Sequence, residues 1–210
     1  MEDLAHIAAA LEAGDDERVA ELTGQALGKE LPAERILNEG LLAGMKVVGE
    51  RFRCHDMFLP EVLLAARAMY AGLDLLKPHL AESGVPSRGK VVIGTVAGDL
   101  HDIGKNLVGI MLGGAGYEVI DLDKDVSPER FVETARKEGA RVIGMSALLT
   151  TTMPAMKRVV ALLAEQGAQD EIRTVIGGAP VTAEYARQIG ATAYAYDAAH
   201  AVETIEELMG

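Results

Sequence analysis

The residue types best suited to chemistry lie together in one stretch, Gly98-Asp99-Leu100-His101-Asp102-Ile103-Gly104-Lys105-Asn106. A histidine offers a neutral nitrogen donor to a metal, or a group that exchanges a proton near neutral pH. A carboxylate two residues away can reach the ring and fix which nitrogen keeps its hydrogen. From the residues alone several readings are open. The stretch can be a surface turn with a solvated histidine. A phosphate loop is disfavoured by spacing, because the Walker pattern places four residues between its glycines and Ser or Thr after the Lys. Here five residues separate Gly98 from Gly104, and Asn106 follows Lys105. His101 and Asp102 also look like the metal-binding pair of a phosphohydrolase. Such a centre needs further His and Asp ligands on neighbouring helices, and His6, His55, His79 and His200 form no second cluster.

A second reactive-looking stretch is Cys54-His55-Asp56-Met57. Consecutive residues point in different directions and rarely chelate one ion together. Gly113-Gly114-Ala115-Gly116 resembles a nucleotide loop by composition, but it follows a helical pattern and reads as a helix stop. Lys105 and Asn106 read as the start of a helix. There is no HExxH zinc pattern, P-loop or nucleophile elbow. A chain of 210 residues also falls short of the about 250 that a (β/α)₈ barrel takes.

The elements that must position these residues follow from composition and period. The chain is 49% hydrophobic with only 4% aromatics and no Trp, so its core is built from Ala, Val, Leu, Ile and Met. Residues 1–82 read as four helices forming a small bundle. Leu4, Ile7, Ala8 and Leu11 make one stripe. Asp15-Asp16 cap a second helix carrying Val19, Leu22 and Leu27. Pro32 opens a third with Ile36, Leu37, Leu41, Met45, Val48 and Phe52, and Pro60 opens a fourth that runs to about Leu80. Residues 83–89, Ser-Gly-Val-Pro-Ser-Arg-Gly, read as a linker. From 90 to 210 the period changes. Apolar runs at Val91–Ala97, Tyr117–Leu122, Arg141–Ser146, Arg173–Ile176 and Ala193–Tyr196 alternate with helical stretches near 105–115, 128–138, 153–166, 181–189 and 198–209. That alternation predicts an α/β domain of Rossmann-like, flavodoxin type, with a five-stranded parallel sheet. Ligands of such sheets bind beyond the carboxyl ends of the strands, where the Asp99–His101 loop falls.

A net charge of −12 repels phosphate backbones and anionic lipid heads, so neither nucleic acid nor a membrane is an expected partner. No apolar run approaches the ~20 residues of a membrane span. The start Met1-Glu2-Asp3 lacks a signal-peptide flank, and the single Cys54 precludes an intrachain disulfide. A cytoplasmic location is expected.

Asp99-x-His101-x-x-Gly104 resembles the signature loop of the cobalamin-binding domain shared by methionine synthase, the adenosylcobalamin mutases and the corrinoid proteins of methyltransferase systems. Two further markers of that family have matches here, Ser146-Ala147-Leu148 after the third strand and Gly177-Gly178 after the fourth. The helical half is similar to the bundle that precedes this domain in the methyltransferase corrinoid proteins, through Val48-Gly49-Glu50-Arg51-Phe52 and Phe58-Leu59-Pro60-Glu61-Val62-Leu63. Cys54–Met57 departs from the stretch usual at that junction.

The resemblance implies cobalamin or a related corrinoid as cofactor, with His101 as the lower cobalt ligand. Asp99 would hold the other ring nitrogen, and Ser146 would extend that chain. Gly104, Gly177 and Gly178 would line the slot for the nucleotide tail, and Leu148, in the Ser-x-Leu marker, would be a further cofactor-binding residue. Phe52, Phe58, Val62 and Met69 would cover the methyl-bearing face. It implies a methyl carrier that does not catalyse alone. Cobalt(I) accepts a methyl through a donor-specific methyltransferase, and methyl-cobalt(III) passes it to tetrahydrofolate or coenzyme M through an acceptor methyltransferase. A corrinoid reductive activator is a further implied partner. The alternatives are a mutase small subunit, which usually lacks the bundle, and a cobalamin-dependent sensor or regulator, which usually adds a basic DNA-binding domain. A receiver-like signalling domain would carry an acceptor Asp where Ser146 stands.

Overall fold

The computed structural model describes residues 2–83 and 88–210. The linker expected over 83–89 therefore falls largely, at 84–87, outside the described residues. The chain forms two compact units, one helical and one built on a sheet.

In the helical unit, α1 (Glu2–Glu12) buries Leu4, Ile7 and Leu11 at helical spacing. Asp15 caps α2 (Asp16–Gly28) by accepting from Arg18 N at 2.9 Å, and Val19, Leu22, Thr23 and Ala26 are its buried face. Pro32 precedes a short turn, α3 (Ala33–Arg35), which runs on into a π-helical stretch, Ile36–Leu42, and then α4 (Ala43–Arg53). A single regular helix was the expectation for this span. Widening it to a π turn lets Ile36 and Leu41, five residues apart, both reach the core. It also lays Gly40 and Gly44 against α1, where a Cβ would come within 3.2 Å of Ile7 Cγ2 and 2.8 Å of Ala8 O respectively. The last helix, α5 (Leu59–Ser83), has Pro60 in its first turn, and Glu61 accepts from Phe58 N at 2.8 Å. Its core-facing stripe includes Val62, Ala65, Met69, Gly72 and Leu76, with Gly72 set against Leu41 and Val19.

The sheet unit contains five parallel strands in the order β2-β1-β3-β4-β5: β1 (Lys90–Thr95), β2 (Glu118–Asp121), β3 (Val142–Ser146), β4 (Arg173–Gly177) and β5 (Ala193–Ala195). The connecting helices are α6 (Ile103–Gly114), α7 (Pro128–Glu138), α8 (Pro154–Glu165) and α9 (Ala183–Ile189), and α10 (Ala198–Met209) closes the unit. Strand residues alternate between faces. Val92, Ile143, Met145 and Ile176 join Phe131, Val159 and Ala186 in the core beneath α7, α8 and α9. On the opposite face Ile93 fits the gap left by Gly109 of α6, where a Cβ would lie 2.7 Å away, and α10 packs on β4 and β5.

The order reverses on either side of β1, which opens a crevice beyond the carboxyl ends of β1 and β3. Across that edge the register aligns Thr95, Ser146, Gly177 and Ala195 in one row of small residues on the α6–α10 face.

Candidate functional site

After β1 the backbone turns at Gly98, whose φ of +80° is costly for residues with a side chain. That turn drops Asp99 into the interior, fully buried, and returns His101 to the surface with its side chain 52% exposed. One carboxylate oxygen, Oδ1, takes hydrogen bonds from His101 N at 3.0 Å and from the ring nitrogen Nδ1 at 2.8 Å. The other, Oδ2, accepts from Leu148 N at 2.7 Å and Leu149 N at 3.1 Å. It also lies 2.8 Å from Thr152 Oγ1. That hydroxyl stands equally close to Leu149 O, and its one hydrogen favours the carboxylate as the stronger acceptor. Burial alone would push the Asp99 carboxyl up. The donors on His101, Leu148 and Thr152 outweigh it and hold the group well below the usual carboxylate range. An ionised Asp99 makes Nδ1 the protonated nitrogen, so the lone pair sits on Nε2, free and pointed away from the anchor.

The environment fits a large, flat, largely apolar ligand with a metal at its centre. Leu100 and Ile103 beside His101 are 63% and 72% exposed. Leu148, Leu149 and Tyr196, on the loops after β3 and β5, are also exposed. Large apolar side chains left open along one edge are the mark of a binding surface. Below them the row Thr95, Ser146, Gly177 and Ala195 carries only small side chains.

The expected site residues separate into groups. Asp99, His101 and Leu148 come together as described. Ser146 does not extend the Asp99 chain. It ends β3 in the small-residue row, and its hydroxyl takes no part in the Asp99 cluster; Thr152, in the loop beyond the strand, fills that place. Alternation along the strand explains the difference, since Ser146 faces α6 and α10. Gly104 has nothing within 4 Å of where a Cβ would be, so no internal contact demands glycine there and room remains for a ligand. Gly177 and Gly178 have internal reasons. A Cβ on Gly177 would lie 2.9 Å from Ala195 O, and on Gly178, at φ +120°, 1.9 Å from Ala147 O. In the helical unit Val62 and Met69 are buried, Phe52 is half-buried and Phe58 is 68% exposed.

Sequence reasoning missed Thr152, Lys105, Asp121 and Asp125. Lys105 Nζ, 3% exposed as a side chain, reaches both oxygens of Asp121 at 2.7 and 2.5 Å. Asp125 Oδ1 accepts from Gly98 N at 2.7 Å. The run Thr150-Thr151-Thr152 between a strand and a helix-opening Pro154 was the available signal for Thr152. Cys54, His55 and Asp56 stay an exposed helix end, and no group of three or more metal-ligating side chains occurs among the described residues. No described helix is long and apolar enough to cross a membrane.

A B12 binding domain model matches residues 89–206, and a second B12 binding domain model matches residues 4–77. A corrinoid protein of Desulfitobacterium hafniense is 43% identical over 200 residues, covering 94% of this chain and 93% of its own. Dimethylamine corrinoid protein 1 of Methanosarcina acetivorans is 46% identical over 181 residues, covering 86% and 85%. Among solved structures, the methanol:cobalamin methyltransferase complex of Methanosarcina barkeri contains a chain that superposes with a TM-score of 0.88 at 32% identity, covering 99% of this chain and 80% of that one.

Proposed function

The chain belongs to the cobalamin-binding corrinoid proteins of methyltransferase systems, and from that premise we propose how its residues share the work of a methyl carrier. It binds cobalamin or a related corrinoid. When bound, that cofactor supplies a cobalt centre that takes a methyl from one methyltransferase and yields it to another.

His101 would hold the cobalt, through Nε2. The observation that carries this assignment is the 2.8 Å tie of Nδ1 to the buried, ionised Asp99, which leaves Nε2 exposed as a neutral donor. Asp99 fixes the tautomer and the orientation of the ring. Thr152 and the Leu148 and Leu149 amides fix Asp99. Gly104, Ser146 and the small-residue row with Gly177 admit the nucleotide tail beside α6, and Gly178 holds the edge of that slot. Leu148, with the exposed Leu100, Ile103 and Leu149, would pack on the bound cofactor and exclude water from it.

Residues 1–82 act as a removable cover for the upper face. Among Phe52, Phe58, Val62 and Met69, Phe58 is the exposed side chain available for direct contact. Phe52 is partly available, and Val62 and Met69 act by shaping the bundle beneath. The partners are a donor-specific methyltransferase, an acceptor methyltransferase and a reductive activator, in the cytoplasm. The carrier does not catalyse alone; choice of donor rests with the partner.

The test uses purified full-length protein loaded with hydroxocobalamin and freed of excess cofactor. Wild type retains about one corrinoid per chain. His101→Ala retains it more weakly, with a shifted cobalt band. Identical spectra from the two proteins would remove His101 as ligand.

A further inference from the structure

We propose that the turn between β2 and α7, Asp121 to Val126, is a two-point brace that sets the pose of His101, with Asp125 as a positioning residue for the cobalt ligand. This rests on the reading of His101 given above and adds to it the element that aims the ring.

The turn runs back along β1. Leu122 N donates to Ile93 O at 2.9 Å, Thr95 N to Asp123 O at 2.9 Å and Val126 N to Thr95 O at 3.0 Å. It then grips the His101 loop at both ends. At the entrance Gly98 N donates to Asp125 Oδ1 at 2.7 Å, while Asp125 N donates to Asp99 O at 3.1 Å. At the exit Lys105, in the first turn of α6, gives its buried ammonium to Asp121, whose Oδ1 also accepts from Asp123 N at 2.8 Å. His101 lies between these two holds, and its carbonyl accepts from Thr95 Oγ1 at 3.1 Å.

The turn adopts this shape at a cost. Asp123 and Asp125 have φ of 71° and 55°, a left-handed conformation that residues with a side chain avoid. Such strain persists where surrounding bonds over-determine it, and it concentrates where geometry matters for function. Here the left-handed Asp125 presents its amide and its carboxylate together to residues 98 and 99. An extended residue at 125 would present one and lose the other. Asp125 touches neither the ring nor Asp99's carboxylate, so its effect on His101 passes through the Gly98–Asp99 backbone.

The test reads ligation in full-length protein loaded with cobalamin and reduced to cobalt(II), where an axial nitrogen imposes superhyperfine splitting on the electron paramagnetic resonance signal. In wild type labelled with ¹⁵N-histidine each three-line splitting becomes two lines, which assigns it to the protein; if wild type shows none or labelling leaves it unchanged, the ligand assignment itself fails. With the splitting present, Asp125→Ala raises the ratio of unsplit to split signal about fivefold, the scale of one hydrogen bond exchanged against water. Asp125→Asn, which keeps an oxygen acceptor, restores the wild-type ratio. A loaded Asp125→Ala protein with the wild-type ratio overturns the proposal, as does an Asn variant that behaves like Ala. Should Asp125→Ala not fold, amide hydrogen exchange of wild type decides. The brace requires a protected Gly98 amide, and exchange at the free-peptide rate overturns it.

Discussion

His101 and His55 both sit in turns beside acidic residues, and left-handed non-glycine residues occur at both places, in the β2–α7 turn that holds the His101 loop and at His55 itself. At the edge of the sheet those residues, Asp123 and Asp125, spend their strain on holding another loop. At the α4–α5 junction His55 takes φ 61° only to end a helix. Asp56 N closes back on Arg51 O at 2.8 Å and His55 N on Phe52 O at 3.1 Å, the ordinary closure of a helix C-terminus. Around His101 each neighbour fixes the ring or fixes what fixes it. Around His55 the chemistry-bearing types lie side by side and exposed, with Cys54 3.6 Å from Glu50 of its own helix. Residue types alone therefore do not make a site; the buried carboxylate does.

The sharpest break in this comparison comes from Asp99→Ala. It strands the His101, Leu148, Leu149 and Thr152 donors at a fully buried position, and the apoprotein is expected to lose about 3–5 kcal/mol of stability in urea titrations. An unchanged midpoint would mean that water replaces the carboxylate and that the anchor is not structural. Thr152→Val removes one of those donors while nearly conserving shape. About 1–2 kcal/mol is expected, together with weaker splitting from the axial nitrogen, because Asp99 is less firmly held. The same measurement on Ser146→Ala is expected to leave the splitting unchanged, and this pair of variants separates the two hydroxyls. The smallest effect lies at the other turn. His55→Gly relieves the left-handed strain and stabilises by about 0.5–1 kcal/mol with no change in corrinoid retention. Loss of retention there would make His55 part of a site after all.

How legible each part was depends on where its cause lies in the chain. The strands were readable because buried parallel strands are short apolar runs bounded by turn residues, and all five runs became strands within a few residues. The π-helical stretch was not, since the buried pair Ile36 and Leu41 sits off the regular helical period, and the reason lies in α1, in the fit of Ile7 and Ala8 against Gly40 and Gly44. The pairing of Asp99 with His101 is local, two residues apart, and could be anticipated. Its other partners, Leu148, Leu149 and Thr152, stand 49 to 53 residues further on and depend on how the loop after β3 folds over, which spacing along the chain does not give. Asp121, Asp123 and Asp125 look in sequence like a solvated acidic turn. Only the return of that turn along β1 gives two of them a use.

The burial of Lys105 has a further consequence. Charges on the surface of a chain with a net charge of −12 are screened within about 8 Å at physiological ionic strength. An ammonium 3% exposed is reached poorly by mobile ions even though its partner Asp121 is 42% exposed, so the hold on the start of α6 is screened less than a surface pair. Ionic strength therefore acts more on how this acidic protein meets a partner than on the His101 loop. Salt becomes a clean instrument: a methyl-transfer rate that falls as salt rises reports on encounter between proteins, and one that does not reports on what happens after they have met.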